Sequence, residues 1–71
     1  MITMHQVVRV LRDAPQQGVT KGMVGAVIEI FDVPERAYEV EFIDAEGRTV
    51  IEATLMEEDL QVVGDGVPGA V

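Results

Sequence analysis

Gly22-Met23-Val24-Gly25-Ala26-Val27-Ile28-Glu29-Ile30-Phe31 and Ala37-Tyr38-Glu39-Val40-Glu41-Phe42-Ile43-Asp44, joined by Asp32-Val33-Pro34-Glu35-Arg36, are the stretch whose reading decides the fold. Both halves are rich in β-branched and aromatic residues. The second half alternates apolar and acidic side chains, the period-two signature of a half-buried strand. The break between them carries a proline, which cannot donate to a ladder. The sequence therefore predicts two antiparallel strands, 24–31 and 37–43, joined by a five-residue turn.

Working outward, Val7, Val8, Val10 and Leu11 supply a strand pattern within residues 5–12. Asp13-Ala14-Pro15-Gln16-Gln17-Gly18 ends it and opens a long loop reaching about Lys21. Downstream, Asp44-Ala45-Glu46-Gly47 reads as a turn with Gly47 left-handed, and residues 48–55 as a fourth strand. Met56-Glu57-Glu58-Asp59 reads as a short helical turn before a last strand over 60–63. Gly22 and Gly25, flanking Met23 and Val24, mark a bulge or sharp bend of the kind small barrels need for closure. Five short antiparallel strands, a long first loop and a helical turn before the last strand describe an all-β, SH3-like barrel over residues 1–63. An OB-type barrel, the competing fold, needs a helix between its third and fourth strands, and no such pattern is present. Residues 64–71, with three glycines and a proline, read as a disordered tail.

A 71-residue chain allows one domain. A chain of that size buries only ~60% of its unfolded surface, and without cysteine it has no disulfide or thiolate–metal staple. Thirteen acidic against five basic residues give a formal charge of −8, which repels phosphate backbones and anionic membranes. The sequence thus speaks against nucleic-acid and membrane binding. No apolar run approaches the ~20 residues of a membrane span. The first residues lack the basic and apolar regions of a signal peptide, so a cytoplasmic location is the expectation.

Taking Asp44–Gly47 as a four-residue connection pairs Glu39 with Glu52, Glu41 with Val50 and Ile43 with Arg48. A five-residue turn before Ala37 pairs Phe31 with Ala37, Ile30 with Tyr38, Glu29 with Glu39 and Ile28 with Val40. In these registers Val24, Ala26, Ile28, Ile30, Tyr38, Val40, Phe42, Ile51, Ala53 and Leu55 point inward, and Glu29, Glu39, Glu41, Glu52 and Thr54 outward. Glu29, Glu39 and Glu52 then form a row across three strands with Glu41 diagonal to it, and Val27, Phe31, Ile43 and Val50 share that face. Like charges directly opposite destabilise a sheet by a few tenths to ~1 kcal/mol per pair. The row is a solvated, screened face, a docking surface for a basic partner, or a site for a hard cation. Carboxylates fringed by exposed Val27, Phe31, Ile43 and Val50 are what a protein–protein patch looks like.

Catalytic chemistry finds little footing. The single histidine, His5, has no second histidine or cysteine at ligand spacing, so neither a metal nor a cofactor is expected. Serine and cysteine are absent, and Thr20, Thr49 and Thr54 lie far from His5 in sequence. Gly22–Gly25 lacks the Lys-Ser/Thr ending and the helix of a phosphate loop, so Gly22, Gly25 and Gly47 read as structural. Paired carboxylates on a flat sheet face lack the cleft that glycoside hydrolysis requires. The expectation is a protein that is not an enzyme.

Gly-x-x-Gly-x-Val at Gly22–Val27, the run Ala37–Asp44 and Gly47-Arg48-Thr49 resemble a family of small bacterial proteins of unknown function. The likeness covers roughly residues 5–63. The glycine motif is also similar to the KOW element of translation factors, and the beta subunit of nitrile hydratase carries a barrel of similar kind. The resemblance implies a fold and no established activity. By analogy with small acidic proteins that neutralise a toxin, the leading expectation is an interaction module binding a basic protein through Glu29, Glu39, Glu41, Glu52, Val27 and Phe31. The alternatives are an accessory SH3-like domain of an enzyme complex and a KOW-type RNA binder. Glu29, Glu39 and Glu41 stand where the last would want cations.

Overall fold

Alternation in the sequence becomes alternation of burial in the computed structural model, which describes residues 1–65. Five strands form one antiparallel sheet: β1 (Val7–Val10), β2 (Val24–Phe31), β3 (Ala37–Ile43), β4 (Thr49–Leu55) and β5 (Leu60–Gly64). Their order is β4-β3-β2-β1-β5. Four strands meander, and the fifth returns beside the first after a 3-10 turn, Glu57–Asp59. With the long loop after β1, this is the SH3-like arrangement expected from the sequence. Gly64, read above as the start of the tail, closes β5, and residues 66–71 of that tail lie outside the described residues.

All five strands feed one core: Val8 and Val10, Val27, Tyr38 with Val40 and Phe42, Ala53 with Leu55, and Leu60. Ile2 and Val19 join it from outside the strands, which the strand pattern did not foresee. Val19 gets there because the first loop is folded on itself. Ala14 and Val19 bridge across a 3-10 turn at Pro15–Gln17. Gly18 supplies the left-handed φ of +73°, and the Lys21 N–H donates to Asp13 Oδ1 at 2.7 Å to close the loop's base. Tyr38 is wholly buried, so its hydroxyl must be satisfied. It accepts from Arg36 Nε and donates to Glu57 Oε1, each at 2.9 Å.

β2 departs from simple alternation. Its register runs Ala26↔Glu41 and Val27↔Val40, then Glu29↔Glu39, so Ile28 is an extra residue with no partner of its own. Beyond a one-residue bulge every side chain changes face. Val27, expected on the outer face, is fully buried, whereas Val24, expected inside, is 46% exposed, and Ala26 and Ile28 are only partly buried. Gly25 lets this half of β2 lie hard against β3. A Cβ there would stand 2.5 Å from the Glu41 carbonyl oxygen, 2.8 Å from Phe42 Cδ1 and 2.9 Å from Val40 Cγ1.

The β3–β4 register also differs from expectation. Glu39 pairs with Thr54 and Glu41 with Glu52, two positions from the predicted partners, and Ile43 pairs with Thr49. The cause is Asp44. Its Oδ1 accepts the N–H groups of Glu46 and Arg48 at 2.9 and 3.0 Å, and its Oδ2 accepts Arg48 Nε at 3.0 Å. Gly47 takes a φ of +82°. The loop so closed runs to Arg48, and Val50 becomes a second bulge residue. Beyond Val50 the net shift is two, which leaves the faces from Ile51 onward unchanged, so Glu39, Glu41 and Glu52 still point out.

β4 is an edge strand, and its edge is defended. The Gln17 amide nitrogen donates to the Thr54 carbonyl, and the Thr54 N–H donates to Gln17 Oε1 at 2.7 Å, so a side chain continues the ladder as a peptide would. The bulge at Val50 and the charge of Glu52 blunt the rest. At the other end, Arg12 pairs with Asp59 at 3.1 Å and the Leu11 N–H donates to the Asp59 carbonyl at 2.8 Å, pinning the turn before β5.

Gly25→Ala is expected to destabilise the domain by about 1–3 kcal/mol, the range for forcing extra volume into a packed core; an unchanged denaturant midpoint would contradict the close approach of β2 and β3. The backbone N–H of Arg48, then that of Glu46 and the Arg48 side chain, hold the Asp44 carboxyl below its ordinary value. Its stabilising contribution is therefore complete above the unfolded carboxylate value near ~4 and is lost as pH falls through the lower folded value. Thermal melts of Asp44→Asn should lie below those of the wild-type chain at pH 7 and converge with them in strong acid.

Candidate functional site

The outer face of the sheet carries two carboxylate pairs. Glu29 stands directly opposite Glu39 across β2 and β3, and Glu41 opposite Glu52 across β3 and β4. These are the four acidic residues singled out from sequence, rearranged from a single row into two adjacent ones. Two of them accept from threonines of β4, and Glu29 Oε1 accepts the Ile30 N–H at 3.3 Å. Thr54 Oγ1 donates to Glu39 Oε1 at 2.7 Å, and Thr49 Oγ1 donates to Glu41 Oε2. Neither hydroxyl carries charge, so neither neutralises the face.

Most of the chain's cations are engaged elsewhere. Arg12 pairs with Asp59, Arg36 with Asp32 at 2.7 Å, and Arg48 with Asp44 and Glu46, each at 3.0 Å. Arg9 donates to Gln61 at 3.3 Å. Arg36 also lies over the Tyr38 ring, 5.5 Å from its centroid. The Tyr38 hydroxyl, then Asp32, raise its pKa, so it stays cationic. Among the described residues no lysine or arginine comes within ion-pair distance of Glu29, Glu39, Glu41 or Glu52.

Beside the carboxylates lies a feature that the sequence did not reveal. Val7, Val24, Gly25, Ala26, Glu41 and Ile43 line an open, mainly apolar depression of about 240 Å³. Its centre is the row Val7–Ala26–Glu41 across β1, β2 and β3, which continues to Gly64 and Glu52 at the two ends of the sheet. Ala26 is small where its flanking residues are large, and that leaves the hollow. The bulge at Ile28 is its origin, since it turns Val24 and Ala26 outward. The legible signal was Gly25, because a glycine inside a strand pattern marks a bulge or close backbone approach.

The remaining candidates fall as follows. Phe31 is 42% exposed at the far end of β2, two residues from Glu29, and Ile43 and Val50 fringe the opposite end of the face. Val27 belongs to the core and is withdrawn from the surface set. Gly22 and Gly47 take positive φ, and Gly25 acts through space alone. His5 is exposed on the segment before β1, with a φ of +70°. Among the described residues no three His, Asp or Glu side chains come together in a metal-binding group, and no helix is long and apolar enough to cross a membrane.

No curated protein and no solved structure matches the chain significantly. A family profile described as "Domain of unknown function (DUF4926)" matches residues 4–62, which spans β1 to all but the end of β5. The chain belongs to the DUF4926 family of domains of unknown function.

Proposed function

We propose that this domain is a non-enzymatic interaction module that docks a basic protein through its acidic outer face. The observation carrying the reading is the distribution of charge. Three of the five cations are held by carboxylates of turns and loops, and four carboxylates are left facing one another on the sheet with no counter-ion among the described residues. A sheet that sets like charges opposite each other gives up stability; a basic partner recovers it and gains a fast, steered encounter. In its sharpest form the partner is a toxin or nuclease-like protein in the same cytoplasm, and the carboxylates occupy the positions its phosphate ligands would take. The same charge speaks against nucleic acid as the ligand.

A second reading, an accessory SH3-like domain of an enzyme complex, draws support from Val24, Ile43 and Val50, which are 46%, 55% and 60% exposed on the same side of the sheet. Its complex would be held by apolar contact and would resist salt.

The tagged chain, used to recover partners from its own cell lysate at low and high salt, should capture one stoichiometric basic protein that is lost at high salt. The double substitution Glu29→Lys with Glu39→Lys should then weaken binding of that purified protein at least about 100-fold, since like-charge juxtaposition at an interface costs several kcal/mol, while leaving the thermal midpoint within a few degrees. Undiminished binding by the double variant at physiological salt would overturn the proposal, and a salt-resistant complex would favour the second reading.

A further inference from the structure

The depression beside the carboxylates has the wrong size for a cofactor and the right size for one side chain. Small-molecule sites span roughly 300–1,000 Å³ and enclose their ligand. This hollow is about 240 Å³ and open, walled by Val7, Val24 and Ile43 with Ala26 as its floor. Its charges are lopsided. Glu41 lines it on the β3 side, with Glu52 next in the same row. On the β1 side the neighbour is Arg9, opposite Val24 and held by Gln61. Glu41 spends one lone pair on the Thr49 hydroxyl and keeps acceptor capacity beside an apolar wall, where a cation is screened less than in bulk water.

Resting on the docking reading above, we propose that this depression seats a single aliphatic side chain of the basic partner, with the partner's adjacent lysine or arginine over Glu41 and Glu52. Charge selects this occupant over the two nearer ones. A second copy of the chain brings a formal charge of −8 against an acidic face. Residues 66–71 contain no lysine or arginine to pair with Glu41 and Glu52. Arg9 fixes the direction: the cation approaches from the β3–β4 side and the aliphatic tip points towards β1. The anchor supplies the salt-independent share of affinity and the carboxylates the steering, so neither half of the site suffices alone.

The test is an amide chemical-shift titration of the full chain, at low salt, with two blocked pentapeptides. One has a leucine between two pairs of lysines; in the other alanine replaces the leucine. The leucine peptide should shift Val7, Val24, Ala26, Glu41 and Ile43 and bind about tenfold more tightly, as expected for partial burial of its extra carbons. Ala26→Leu, which fills the hollow, should remove that difference; Ile43→Ser, which lowers one wall on the exposed face, should reduce it and serves if Ala26→Leu does not fold. Equal affinity of the two peptides, with shifts confined to Glu29, Glu39, Glu41 and Glu52, would overturn the anchor and leave the docking reading standing. No shifts on this face with either peptide would overturn both. Overhauser contacts from the valine methyls of residues 66–71 to Ala26 in the free protein, or shifts at Ala26 on simple dilution, would assign the depression to the chain itself and overturn the proposal.

Discussion

A single extra residue, Ile28 in β2, sets the character of both faces of the sheet. Without it, Val24, Ala26 and Ile28 would point into the core, Val27 would face solvent, and the acidic face would be flat. With it, Val27 packs among Tyr38, Val40 and Phe42, and Val24 and Ala26 turn out. One strand thereby keeps Glu29 on the outer face at one end and opens an apolar hollow on that face at the other. Gly25 is the companion constraint, because its missing side chain lets the bulged strand sit against the β3 backbone.

The rest of the molecule holds this arrangement in place with little material. There is no disulfide, and the strands are short, so loops contribute to the core through Ile2 and Val19. Side chains do backbone work. Gln17 closes the ladder at Thr54, Asp44 organises the β3–β4 turn, and Asp59 ties the last 3-10 turn to Arg12. Two of these contacts hold cations, Arg48 and Arg12, at the turns, away from Glu29, Glu39, Glu41 and Glu52. Stability of the turns and exposure of an uncompensated acidic face are two results of the same allocation of charge.

Much of this was legible in the sequence. Alternation in Ala37–Ile43 gave the parity of β3, and the proline turn gave the Phe31↔Ala37 register directly. The four glutamates were placed on the correct face even though the β3–β4 register was off by two, because a shift of two preserves parity. What was not legible is where alternation breaks. In Val24-Gly25-Ala26-Val27-Ile28 every residue is apolar or a glycine, so although Gly25 signalled a bulge or bend, the pattern carried no information about which residue is the extra one or which side faces water. Thr49 and Thr54, donors to Glu41 and Glu39, were hidden for a related reason. Their partners depend on the length of the Asp44–Arg48 loop, which a side chain, not a turn type, determines. Ile2 and Val19 lie outside any periodic segment, and only tertiary packing reveals them.

The most direct test of this account compares Val24→Asp with Val27→Asp by equilibrium unfolding. The bulged register predicts that Val24→Asp, exposed and opposite Arg9, leaves the unfolding midpoint nearly unchanged. Val27→Asp, which places a carboxylate in the core, should cost about 3 kcal/mol or more and leave the chain largely unfolded. The reverse order, with Val24→Asp the damaging change and Val27→Asp tolerated, would mean that β2 alternates without a bulge, and both the hollow and the face built on it would fall.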